Sequence, residues 1–177
     1  MKVHSIAPFI GLLSVAVVAR AQPPATKPDP GAATVKATYL ITGLHCPPCT
    51  NTVEASLHKV KGVRSVKVDW KTKNARIEFD EGVLSAQRLA QAIASTPHMM
   101  GGNMQYAGWL ALQVPNIKDD ATAKPATEAL GKIEGVKKVV AYPAQHAVGV
   151  QFAKEGSVTS QQLIDALAKA GLKSSSY

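Results

Sequence analysis

Residues 35–60, VKATYLITGLHCPPCTNTVEASLHKV, change their period half-way along. Over 35–41 the apolar residues Val35, Ala37, Tyr39 and Ile41 fall on every second position, which places them on one face of a strand. Farther on, Cys49, Val53, Leu57 and Val60 fall at helical spacing and predict a helix over about 48–60. The junction GLHCPP is short and stiff. Each proline holds the residue before it extended, and Pro48 suits the first helical position. Cys46 is then expected in the loop and Cys49 in the first helical turn, so that both sulfurs point to one exposed spot.

Working outward, VRSVKVDW alternates with Val66, Val68 and Trp70 together, KTKN turns the chain, and ARIEF puts Ala75, Ile77 and Phe79 inward. SAQRLAQAIAS supplies a second helix with Ala86, Leu89, Ala90 and Ile93 on one side. A fourth strand is expected within 98–107, completing the order β-α-β-β-α-β. The same order then recurs. At a shift of 73 positions Leu57 meets Leu130, Lys59 meets Lys132, Gly62-Val63 meets Gly135-Val136, Val66 meets Val139 and Phe79 meets Phe152. After one inserted residue near Gly156 the shift becomes 74, and Leu89 meets Leu163. The strands WLALQV, KKVVAY and AVGVQF and helices around 122–133 and 160–170 make a second unit. In that register Cys46 stands opposite Asp119 and Cys49 opposite Thr122. The second unit therefore has no thiols, and Asp119, Asp120 and Thr122 read as helix N-cap residues.

Cys46 and Cys49 are the only cysteines of the 177 residues. Soft sulfur selects soft ions: Cu(I) first, with Ag(I), Hg(II) and, less exclusively, Zn(II) as alternatives. Two thiolates satisfy a low-coordinate ion, whereas a closed zinc site takes four ligands, so a zinc ribbon is excluded. Thr50 rather than histidine follows the pair, which excludes covalent haem attachment. A helix N-terminus favours thiolate. The two prolines, however, take two N–H donors out of the turn that would face the anion, so thiolate stabilisation is expected to be weaker than with ordinary residues there. A thiol–disulfide oxidoreductase using the CPPC pair is the alternative on spacing alone. The short repeated pattern and the absence of an aromatic-rich approach to Cys46 argue against a thioredoxin fold. A bond that merely stiffens the loop is a third reading, with a small entropic gain because the loop is so short.

GLHCPPCT on a β-α-β-β-α-β unit resembles the heavy-metal-associated domain family, whose motif is G-M-x-C-x-x-C and which includes copper chaperones, N-terminal domains of copper-pumping ATPases and periplasmic mercury-binding proteins. The resemblance implies an α+β fold of two tandem ferredoxin-like units, each an antiparallel sheet covered on one face by two helices, the second a degenerate copy. It implies metal-binding roles for Cys46 and Cys49, with Gly43 as the motif glycine. Leu44 stands where the family has methionine and should pack beneath the loop. The family topology also puts TPHMMGGNM at the same end as the cysteines. From this we expect His98, or one of Met99, Met100 and Met104, to approach the metal; otherwise the methionines fill the core and the histidine is solvated. His45, His58 and His146 read as surface residues, and Trp70 as a cap on the sheet or a neighbour of the site.

MKVHSIAPFIGLLSVAVVARAQ, with its early lysine, short apolar run and small residues near Ala21, reads as a cleaved secretory signal peptide over 1–21. The Pro/Ala-rich linker over 22–34 follows, then the units over 35–107 and 108–177. A periplasmic or secreted location is expected, with no stable membrane insertion after cleavage. The net charge of +8 includes Lys2 and Arg20. The remaining basic residues are scattered and aromatics are few, so nucleic acid is not an expected partner. The expected partners are a metal ion and, through it, a metal-transporting membrane protein or another metal carrier. The acidic residues show no pairing suited to acid–base catalysis, and no enzymatic role is expected.

Overall fold

The computed structural model describes residues 34–177. The expected signal peptide, and all of the linker but Thr34, lie outside the described residues. The elements run β1 (Thr34–Thr42), α1 (Pro47–Leu57), β2 (Val63–Asp69), β3 (Asn74–Asp80), α2 (Ala86–Ala94), β4 (Ala107–Gln113), α3 (Asp120–Gly131), β5 (Val136–Tyr142), β6 (Ala147–Phe152), α4 (Ser160–Lys169) and β7 (Ser175–Ser176). A single 3-10 turn, Pro143–Gln145, joins β5 to β6.

The strands form one seven-stranded sheet in the order β2-β3-β1-β4-β6-β5, with β7 paired to β4 off that path. All the pairings are antiparallel. The architecture is two β-α-β-β-α-β units, and β4 serves both. It is the last strand of the first unit, where Thr38–Thr42 pair with Ala111–Ala107. It is also the first strand of the second unit, where Leu110–Gln113 pair with Val150–Ala147. The fourth strand expected within 98–107 is therefore Ala107–Gln113, the segment read as the opening strand of the second unit. Residues 98–106 are loop. The closing strand β7 extends the edge of β4 beyond β1, at Leu112 and Gln113, and the Thr38 hydroxyl donates to the Tyr177 carbonyl.

The positional equivalence of the units extends to their backbone detail. Gly62 and Gly135 both have positive φ, +99° and +95°, as do Lys73 and His146 at +55° and +50°. Asp80 N–H to Gly62 C=O is matched by Ala153 to Gly135, and Ile41 to Lys73 by Val114 to His146. Both outer hairpins carry an irregularity at the same place, between Val63 and Ser65 and between Val136 and Lys138.

One apolar core underlies the sheet. Ala37, Tyr39, Ile41, Ala75, Ile77, Phe79, Leu110, Leu112, Val148 and Val150 meet the helix residues Val53, Leu57, Leu89, Ile93, Ala126, Leu130, Leu163 and Leu167, all buried. The alternation of period 2 in the strands and 3.6 in the helices turns these sets toward each other. Gly108 lets α2 approach β4 closely, since a Cβ there would lie 2.6 Å from Ile93 Cδ1. A buried glutamine ties the units together. Gln87 donates through Nε2 to the carbonyls of Ala153 (3.0 Å) and Glu155 (2.7 Å) and accepts through Oε1 from Val158 N–H (3.0 Å). Its own N–H donates to Val158 C=O. A buried amide with every hydrogen bond made adds specificity to an interface that apolar contact alone leaves free to slide.

Candidate metal centre

Cys46 is the N-cap of α1, with extended φ and ψ of −147° and 151°, and prolines fill the first two helical positions. The helix begins at Pro47, one residue earlier than predicted. Cys49 is the third helical residue and is fully buried, while Cys46 is partly exposed. The Cα atoms stand 5.4 Å apart and the two sulfurs are joined as a disulfide. Cys49 is thus held within the core, and Cys46, next to an exposed His45 in sequence, packs at its edge and keeps part of its surface open.

The helix start explains the electrostatics. Neither proline has an N–H, and the Cys49 N–H is engaged by the Cys46 carbonyl at 3.0 Å. The Cys46 side chain accepts no capping bond, and no acidic residue sits in the first turn to oppose a thiolate. Stabilisation of negative sulfur here comes from the helix dipole and not from directed N–H groups. The prolines contribute rigidity.

The equivalent turn of the second unit uses the same two positions differently. Asp119 is the N-cap of α3 and Thr122 the third helical residue, forming a capping box. Thr122 N–H donates to Asp119 Oδ1 at 2.8 Å. The bonds from the Thr122 backbone, and then from its side chain, hold the Asp119 carboxyl below the usual aspartate range. Asp120 begins the helix as a first-turn acid. A sulfur pair and a capping box therefore occupy one structural niche.

Beneath the cysteine loop Leu44 is buried. Gly43 has φ +89°, and a Cβ on it would lie 2.5 Å from the Gln105 carbonyl oxygen. The loop 97–106 does come to the cysteine end, as the family topology implied. His98 Nε2 donates to Gly43 C=O at 2.9 Å while Nδ1 accepts from Met100 N–H at 3.1 Å. That places the proton on Nε2 and leaves neither nitrogen free for a metal. The His98 ring also lies 4.5 Å from the buried Tyr106 ring and 5.7 Å from that of His45, centre to centre. So His98 is a strut between two loops. It is not a solvated group, and in this disulfide-bonded form both its ring nitrogens are engaged by protein partners. The three methionines are exposed, against the expectation of core filling. Among the described residues no three His, Cys, Asp or Glu side chains are grouped to hold a metal ion.

Trp70 is partly buried, in the β2–β3 hairpin that Ile41 N–H ties to the cysteine end of β1, with Lys73 Nζ 5.9 Å from its ring centre. His58 caps the C-terminus of α1 and is exposed. His146, also exposed, donates through Nδ1 to Ile117 C=O.

Comparison with known proteins agrees with this geometry. The heavy-metal-associated domain family matches residues 38–98. Over 53 residues the chain is 36% identical to the copper chaperone CopZ of Staphylococcus haemolyticus, covering 30% of this chain and 78% of that protein. The chain belongs to the heavy-metal-associated domain family. It is also 38% identical over 61 residues to the periplasmic component of the mercuric transport protein of Serratia marcescens, covering 34% of this chain and 67% of the relative. A longer match, 26% identical over 142 residues, runs to the copper-transporting ATPase RAN1 of Arabidopsis thaliana and takes in 78% of this chain but 14% of the ATPase.

Proposed function

We propose that the chain is an exported, non-catalytic carrier or scavenger of soft metal, holding Cu(I) between the thiolates of Cys46 and Cys49 and passing it on by ligand exchange. The observation that carries this reading is the placement of the two cysteines: adjacent, on a pre-stiffened turn, one anchored in the core and one partly open at its edge. A buried Cys49 keeps hold of the ion while Cys46 is open to an incoming thiolate. Two-coordinate binding suits Cu(I) and Hg(II) and is poor for Zn(II). One relative is named for copper and another for mercury, both soft metals, which supports a soft-ion reading.

The disulfide must be reduced before loading. A dithiol reductant supplies two electrons and two protons, giving two thiols that lose their protons on binding the ion. Export rests on the signal-like segment over 1–21, and no helix among the described residues is long and apolar enough to cross a membrane. The partner that fits is a metal-transporting membrane protein or another carrier with its own thiolates. The second unit, a degenerate copy without thiols, braces the first through β4 and Gln87.

Titration of reduced protein with Cu(I), Hg(II) and Zn(II) under chelator competition tests the reading, with Cys46→Ser/Cys49→Ser as control. Tight binding of one Cu(I), lost in the double variant and unmatched by Zn(II), is expected. Insulin reduction well above that of the double variant would instead favour oxidoreductase chemistry. Mass analysis of the exported protein, expected to begin at Gln22, tests the location.

A further inference from the structure

The connection between the second helix and the last strand differs sharply between the two units. It spans twelve residues, 95–106, in the first unit and five, 170–174, in the second. The extra length is HMMGGNM and holds every methionine of the chain except Met1. Methionine in a protein ordinarily fills apolar space, yet Met99, Met100 and Met104 are 55%, 59% and 40% exposed. They are three of the five large apolar side chains exposed among the described residues. Their packing therefore does not explain them.

The loop is nonetheless ordered by its own hydrogen bonds. Gly101 N–H bonds to His98 C=O and Met104 N–H to Gly101 C=O, two successive turns that fold Met99, Met100 and Met104 into one tip. Gly101, at φ +113°, makes the reversal between them. His98 fastens the base of the tip to Gly43, three residues before Cys46. No Lys, Arg, Asp or Glu lies within 95–106, so the tip presents thioethers without a competing carboxylate or a repelling cation.

We propose that Met99, Met100 and Met104 form a second soft-metal site, a thioether site for Cu(I) or Ag(I) that works while Cys46 and Cys49 are disulfide-bonded. Thioether sulfur is soft, carries no proton to lose, and is not consumed by the oxidation that joins the cysteines. The tip would capture a monovalent soft ion in an oxidising compartment and hold it next to the thiolate pair until that pair is reduced. Neutral thioethers favour Cu(I) and Ag(I), and compete poorly with thiolates for Hg(II). The proposal thus extends the copper reading, but the site itself does not require the cysteines to bind metal.

The test uses the full chain with its disulfide intact, verified by thiol counting, in chloride-free buffer. Ag(I) is the probe because it does not reduce the disulfide. With the methionine methyl groups 13C-labelled, about one Ag(I) per chain is expected to shift the signals of Met99, Met100 and Met104 while Met1 stays put. M99L/M100L/M104L should weaken Ag(I) binding to the oxidised protein at least tenfold and leave Cu(I) binding to the reduced protein within about threefold. Unshifted loop methyls in the oxidised wild type, or equal Ag(I) binding by the triple variant, would overturn the proposal. Loss of the tightly held Cu(I) by reduced C46S/C49S, with the weaker thioether binding retained, bears separately on the thiolate site, so failure of one reading is distinguishable from failure of the other.

Discussion

Gly43→Ala attacks the cysteine loop at its most constrained point. Two costs act there and two other glycines separate them. Gly171 has φ +78° and no atom within 4 Å of where its Cβ would stand, so an added methyl enters open space. Gly171→Ala therefore isolates the backbone cost. A left-handed residue with a Cβ costs roughly 1–2 kcal/mol, offset by about 0.4–1 kcal/mol from the stiffer unfolded chain, for a net loss of about 1 kcal/mol. Gly108 has ordinary φ but its Cβ would meet Ile93 Cδ1 at 2.6 Å. Gly108→Ala thus isolates overpacking, against a side-chain tip that can swing away, at about 1–2 kcal/mol. Gly43 combines both: φ +89°, and a Cβ 2.5 Å from the Gln105 carbonyl oxygen, which is backbone and cannot rotate aside. The sum is about 2–4 kcal/mol. Relief requires the 105–106 backbone to move, which strains the His98–Gly43 hydrogen bond as well. Urea unfolding of the three variants at fixed redox state measures the costs, with the slope compared to confirm an unchanged native core. A Gly43→Ala loss no larger than that of Gly171→Ala would refute the steric reasoning.

Other outcomes follow from the same geometry. Gln87→Leu strands the buried Val158 N–H and removes the part-buried bonds to the Ala153 and Glu155 carbonyls, which solvent can reach; at about 1–3 kcal/mol for the buried orphan the loss should be about 2 kcal/mol in chemical denaturation, and a loss below about 1 kcal/mol would show the units held without it. Asp119 titrates lower when folded, so its cap stabilises above the ordinary aspartate range and the contribution fades as pH falls through the lowered folded value. Asp119→Asn keeps an acceptor without the charge and should flatten that acid limb of the stability profile, which urea midpoints across pH would reveal; an unaltered limb would place the acid sensitivity elsewhere. Asp119→Cys/Thr122→Cys puts sulfurs at the N-cap and third helical positions of α3, and the reduced variant should take up a second tightly held Cu(I); failure in a folded variant would mean that those two positions alone do not make the site. His98→Ala should leave Cu(I) affinity of the reduced wild-type cysteines within about threefold, since both ring nitrogens are already engaged, and a tenfold loss would restore His98 as a ligand.

Much of this was legible in the residues because burial leaves a period. Val35 to Ile41 and Ala75 to Phe79 alternate, and Cys49, Val53 and Leu57 sit one helical turn apart, so strands, helices and the positional repeat could be read locally. The equivalence of Cys46 with Asp119 and of Cys49 with Thr122 was also readable, and the structure gives it a physical meaning: N-cap and third helical position in both units. What escaped depended on partners distant in sequence. Nothing in AGWLALQ says that both edges of that strand are used, because alternation reports faces and not edges. Gln87 looks like a polar residue on an amphipathic helix, and its partners are backbone groups dozens of positions away. His98 has a ligand's chemistry, and only the Gly43 carbonyl and Met100 N–H show its nitrogens to be occupied.

The central claim is that the thiolates of Cys46 and Cys49 alone bind the tightly held metal. X-ray absorption at the copper edge, on reduced full chain loaded with less than one equivalent of Cu(I), tests it most directly. The account predicts a shell of two sulfurs with no nitrogen in the wild type and in M99L/M100L/M104L alike, absent from reduced C46S/C49S that carries the same three leucines and is treated identically. A nitrogen ligand in the wild-type shell, or the same shell persisting without the two cysteines, would contradict it.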